Sequence, residues 1–173
     1  MKKRLFLSFL AFIFAGAVLI VSLLNAHDTS ASRLGGNTDH QLYFDKAMLP
    51  DHIMYPLFMM VDRVQLETAP KSERIYIEIE YANRRLEYGR ELMDSNKEEL
   101  AVATFTKAEK YLYDATQEIQ THTASDSLKP KLSKIIEYHT RKLHDWKATL
   151  TDAHRSVIDR SLEENQILLG LLK

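Results

Sequence analysis

The chain has 173 residues, enough for one folded domain with accessory segments, and its 45% hydrophobic and 27% charged content is that of a globular protein. The absence of cysteine excludes disulfides, thiolate metal sites and cysteine nucleophiles, and a net charge of −1 argues against the concentrated basic surface that a nucleic-acid partner requires. Five glycines and four prolines leave few breaks, so an all-α fold is expected.

The first element is the run from Leu5 to Leu24, twenty uncharged residues of which fourteen are Leu, Ile, Val or Phe. As a helix it would span roughly 30 Å, the hydrocarbon thickness of a bilayer, and insertion scales give it on the order of −5 kcal/mol. Lys2, Lys3 and Arg4 precede it and every acidic residue follows it, which predicts a cytoplasmic N-terminus and an extracytoplasmic remainder. Residues 1–26 are therefore expected to form a signal anchor, a single transmembrane helix in a bacterial cell membrane. The alternative is a cleaved signal and a secreted or periplasmic product: Ala26 suits the last position before a cleavage site, but Leu24 is large for the position two earlier. Residues 27–47, rich in Ser, Thr, Asn, Asp and Gly without any period, read as a flexible tether.

Residues 48–173 read as the folded domain, an antiparallel bundle of four to five helices. Behind Pro56, Leu57, Val61, Val64 and Thr68 share one helical face, and Pro70 should end that helix. Ile75, Ile79, Ala82, Leu86, Gly89 and Met93 form a second row, and Ala101, Phe105, Ala108, Leu112, Ala115 and Ile119 a third. Leu132, Ile136, His139, Leu143, Trp146 and Leu150 follow Pro130, and Ile158, Leu162, Asn165, Leu169 and Leu172 complete the set. Alternating steps of three and four keep a seam facing a neighbour in a left-handed bundle or coiled coil. Met93–Glu98 and Thr121–Ser127 are the polar reversals; Thr151–His154 is weaker, leaving open whether the last two helices are continuous. Arg74 with Glu78 and Glu80 with Arg84 read as exposed four-apart pairs.

Chemistry-bearing patterns are sparse. No histidine follows a glutamate by three residues, as a di-iron bundle requires, and no zinc signature, phosphate loop, nucleophile elbow or calcium loop occurs. An enzyme and a resident cofactor or metal are not expected. His139 and Asn165 interrupt apolar rows, either as register-fixing core residues or as a site that senses a proton, metal or small ligand. Phe58, Met59 and Met60 extend the apolar character of the first helix beyond its inner stripe, a candidate surface for a protein partner or the nearby membrane. Tyr76, Tyr81, Tyr88, Tyr111, Tyr113 and Tyr138 read as flank residues with wet hydroxyls, or as a binding surface.

The stretches "LPDHIMYPLFMMVDRVQLE", "YANRRLEYGREL" and "ATFTKAEKYLYDA" resemble an uncharacterised family of bacterial envelope proteins, a domain of unknown function found behind signal anchors or transmembrane helices. Leu49, Pro50, Asp51, Tyr55, Pro56 and Leu57 match its opening signature, Ala82, Arg85 and Leu86 its Ala-x-x-Arg-Leu helix, and Tyr111 and Ala115 its Tyr-bearing helix. The resemblance runs from Met48 to Leu172 and departs at His52 and Ile53, where members tend to have Ser-Pro, and at Phe58 and Tyr88, where they tend to have Lys and Glu. It implies no activity. As physical chemistry the signature reads as an entry clamp: Pro50 holds Leu49 extended, Asp51 accepts hydrogen bonds in the turn, Pro56 starts the helix, and Tyr55 and Leu57 anchor it on the core. The expected function is protein binding or a structural role in the cell envelope; the alternative is an envelope sensor that uses the bundle interior. "NKEELAVATFTKAEKYL" has the rhythm of a tetratricopeptide second helix but occurs once, which argues against a repeat scaffold.

Overall fold

A computed structural model describes residues 49–121 and 127–173. The expected anchor (1–26) and tether (27–47) lie outside the described residues; among the described residues no helix is long and apolar enough to cross a membrane. Five helices and no strand are present there: α1 (Tyr55–Thr68), α2 (Lys71–Asp94), α3 (Glu98–Thr121), α4 (Lys129–Lys147) and α5 (Asp152–Leu171).

Local chemistry sets the boundaries. Pro56 occupies the first turn of α1, where its missing N–H costs nothing, and Ala69 turns extended ahead of Pro70. The α2 terminus is a Schellman turn: Asn96 takes a φ of 58°, its N–H donates to the Met93 carbonyl at 2.9 Å, and the Lys97 N–H donates to the Leu92 carbonyl at 2.8 Å. Pro130 opens α4. The last two helices are separate, because α4 ends at Lys147 and α5 begins at Asp152 behind an extended Thr151.

Helices α2 to α5 alternate in direction, so two apolar layers form. In one, Ile75 and Ile79 near the start of α2 meet Leu112 and Ile119 near the end of α3, Leu132 and Ile136 of α4, and Leu168 and Leu172. In the other, Leu86 and Leu92 meet Ala101, Phe105, Leu143, Leu150 and Ile158. Gly89 permits close approach there: a Cβ in its place would stand 2.2 Å from the Phe105 ring, which stacks on Trp146 at a centroid distance of 5.0 Å. All six residues of the α3 row are buried, as the spacing predicts. On α5 the row shifts, with Ser161 and Leu168 buried and Leu162 and Leu169 only half-buried.

The α1 stripe differs from expectation. Leu57 is 52% and Val64 39% exposed, whereas Tyr55 and Asp62 are buried. Polar bonds choose this face: Asp62 pairs with Arg84, and the buried Tyr81 hydroxyl shares its one proton between the Asp62 carbonyl at 3.1 Å and Gln65 Oε1 at 2.9 Å. For the same reason the four-apart pairs on α2 do not stand alone on the surface. Arg84 turns to α1, Arg74 lies 3.7 Å from Glu118 on α3, and Glu78 is buried.

Candidate functional site

Between the two apolar layers lies a polar one to which α2, α3, α4 and α5 all contribute. His139, wholly buried, sets its Nδ1 2.8 Å from Glu109 Oε1. The other carboxylate oxygen of Glu109 accepts from Asn165 Nδ2 at 2.6 Å, and that amide also donates to Thr140 Oγ1 at 3.3 Å. His139 Nε2 lies 3.1 Å from Asn83 Oδ1 at the bundle surface. A carboxylate only accepts, so Nδ1 carries the proton of the Glu109 bond; Nε2 is served by Asn83 in either orientation of that amide. Asn165 Oδ1 is buried without a partner.

His139 and Asn165, singled out because they interrupt apolar rows, are thus brought together through a residue that the spacing did not reveal. Glu109 sits one position from Ala108, just off the α3 row, and is 3% exposed. Two polar residues at matching depth on adjacent seams are the signal that calls for such a partner, since neither can be buried unbonded without a cost of about 1–3 kcal/mol. Glu109, His139 and Asn165 are all buried, Asn83 reaches the surface, and the cleft formed by α1, α2 and α3 is lined by other residues. A hydrogen-bonded polar layer of this kind can hold helices in register.

The surface proposed on α1 divides. Met59 turns inward, where its Sδ accepts from Arg85 Nη2 at 2.9 Å, and Phe58 is half-buried; Met60 remains 68% exposed. The outward row is instead Ile53 (89% exposed) in the entry turn, then Leu57, Met60 and Val64 on the helix. Spacing alone could not choose between these faces, because both carry apolar side chains.

The entry residues form a clamp of altered membership. Leu49 packs on the layer containing Phe105, and Asp51 pairs with Lys97 in the α2–α3 turn; that bond, first, lowers the Asp51 carboxyl below its ordinary range. The His52 N–H closes the turn on the Leu49 carbonyl at 2.9 Å, with Pro50 half-buried between them. Tyr55 is 8% exposed and anchors the helix start, while Pro56 and Leu57 face outward, so Leu57 is no core anchor. Of the tyrosines, Tyr76, Tyr113 and Tyr138 lie exposed and Tyr88 and Tyr111 half-buried. Tyr81 is buried beneath Arg84, whose guanidinium is 4.7 Å from its ring centroid, and burial pushes the phenol pKa up.

A model of the domain of unknown function DUF5667 matches residues 47–166, from ahead of the entry clamp to α5. The chain belongs to this family. No curated protein and no solved structure matches it. The matched DUF5667 segment contains the whole polar layer, Asn83, Glu109, His139, Thr140 and Asn165 included.

Proposed function

We propose that this DUF5667 chain is a bacterial envelope protein, held in the membrane by Leu5 to Leu24 with its bundle outside the cytoplasm, which binds a protein partner along the outward row of α1. The supporting observation is the exposure of Ile53, Leu57, Met60 and Val64 at steps of four, three and four. That spacing is the one by which a helix presents knobs to a second helix. The partner it fits is therefore an amphipathic helix of another envelope protein with an apolar stripe of the same period. The rival reading, a proton or ligand sensor in the bundle interior, has less in its favour, because His139 is wholly buried and both of its ring nitrogens already have protein partners.

The test is photocrosslinking of the full-length chain in cells. A photoreactive residue at Met60 is expected to capture a discrete protein that the same residue at exposed Ser156 on α5 does not. Leu57→Glu should abolish the capture. Met60→Glu should leave the unfolding free energy within about 0.5 kcal/mol of wild type, as for an exposed side chain. Identical capture from both positions, or capture unaffected by Leu57→Glu, removes the docking face. Protease treatment of spheroplasts tests the topology, with cleavage of the bundle from outside as the expected result.

A further inference from the structure

Away from the polar layer, the end of α1, the start of α2 and the end of α3 border an open cleft of about 550 Å³. Four carboxylates line it, Glu67, Glu78, Asp114 and Glu118, against two cations, Lys71 and Arg74. Three of the four are engaged: Glu67 with Arg63 at 2.8 Å, Glu118 with Arg74 at 3.7 Å, and Asp114 with Lys110 at 3.1 Å. Glu78 differs from them. It is 4% exposed, lines the cleft, and its Oε2 is buried with no hydrogen-bond partner.

A buried carboxylate oxygen without a donor costs free energy that a cationic donor would recover. We infer that the cleft binds a small organic cation, an alkylammonium or guanidinium, whose N–H groups donate to Glu78. Arg63 and Lys110 pair with two of the four carboxylates, so it is the unpaired Glu78 oxygen, and not net charge, that selects a cation. Among the described residues no three His, Asp or Glu side chains are grouped to hold a metal ion, whereas an ammonium or guanidinium needs only one buried acceptor.

The groups that face Glu78 set the pH behaviour. Burial, then Asp114 and Glu118, push its carboxyl up to about 7, against Arg74 and Lys110, which pull it down. A bound cation favours the ionised form, so binding near neutral pH expels a proton from Glu78 and tightens as the pH rises.

The experiment is calorimetric titration of the full-length chain with putrescine at pH 7, in two buffers of different ionisation enthalpy and at fixed potassium concentration. Saturable binding with proton release is expected. Glu78→Gln, which preserves shape and is expected to fold, should bind about tenfold more weakly or worse and release no proton. Glu163→Gln, an exposed carboxylate on α5, should bind as wild type does. Asp114→Asn provides a second variant with intermediate affinity, readable even if Glu78→Gln unfolds. Absence of saturable binding by the wild type, equal affinity in Glu78→Gln, or heats that do not depend on the buffer would each overturn the site.

Discussion

Glu109 and Glu78 lie at the same depth in one bundle, 3% and 4% exposed, and have opposite surroundings. Glu109 has both oxygens bonded, one to His139 and one to Asn165, at the meeting of three helices. Glu78 has a bare oxygen and two like-charged neighbours at the edge of a cleft. Burial alone therefore does not decide what a carboxylate does; the donors arranged around it do.

The severest way to break the contrast is to make Glu109 resemble Glu78. His139→Leu removes one donor and leaves the carboxylate buried, and is expected to cost about 1–3 kcal/mol, as for a buried acceptor that loses its hydrogen-bond partner. Urea unfolding at pH 7 measures it. Adding Glu109→Leu removes the stranded charge, so the double variant should be less destabilised than the sum of the two single ones. A loss near zero for His139→Leu would mean that the layer is not a working network, and would reopen the sensing role considered for this residue.

The second way tests Glu78 itself. Its folded carboxyl titrates at about 7 against an ordinary value of 4.5, so between those values the folded chain holds more proton than the unfolded one. Stability should fall as the pH rises from about 4.5 to about 7 and stay level above. At about 1.4 kcal/mol per unit, discounted because the cleft opens to solvent, the loss is about 1–2 kcal/mol. Comparing urea midpoints at pH 5 and pH 8 reads it, and Glu78→Gln should remove this share of the slope. An unchanged slope in that variant would assign the pH dependence to other groups.

The two carboxylates were not equally legible in the sequence. The helices were, because alternating three–four spacing records which face of each helix is dry; the rows through Leu86, Phe105, Leu112 and Leu143 are buried as that logic requires. His139 and Asn165 were visible as interruptions of the pattern. Glu109 was not, since it lies one position off its row, and its role comes from two other helices. Glu78 was misread as half of a surface pair with Arg74, because the four-apart rule sees one helix and the competing Glu118 stands on another. The face of α1 was misread for a related reason: apolar side chains occupy two sides of that helix, and Asp62, meeting Arg84 and the Tyr81 hydroxyl, decides which side turns in.

A third carboxylate sharpens the comparison with the smallest expected effect. Glu98, at the start of α3, is half-exposed yet well partnered at one oxygen: its Oε1 accepts from the Thr151 N–H at 2.7 Å and the Thr151 hydroxyl at 2.8 Å, and lies 2.7 Å from His154 Nδ1. Led by the Thr151 backbone bond, these donors hold its carboxyl down at about 2. The sign is the reverse of that for Glu78: the stabilisation is present above the ordinary value of 4.5 and is lost as the pH falls toward about 2. Glu98 thereby does from another helix what the N3 glutamate of a capping box does from its own, accepting from the N–H of the N-cap residue and placing an anionic acceptor at the start of α5. Glu98→Gln keeps an acceptor oxygen and removes only the charge, whereas Glu98→Ala removes both, so the loss of melting temperature at pH 7 should be small for Gln and larger for Ala. Hydrogen exchange localises the effect, with faster exchange in the first turn of α5 and no change at the amides beside His139. Equal losses in the two variants would mean that the charge contributes nothing, and that hydrogen-bond geometry alone ties α3 to α5.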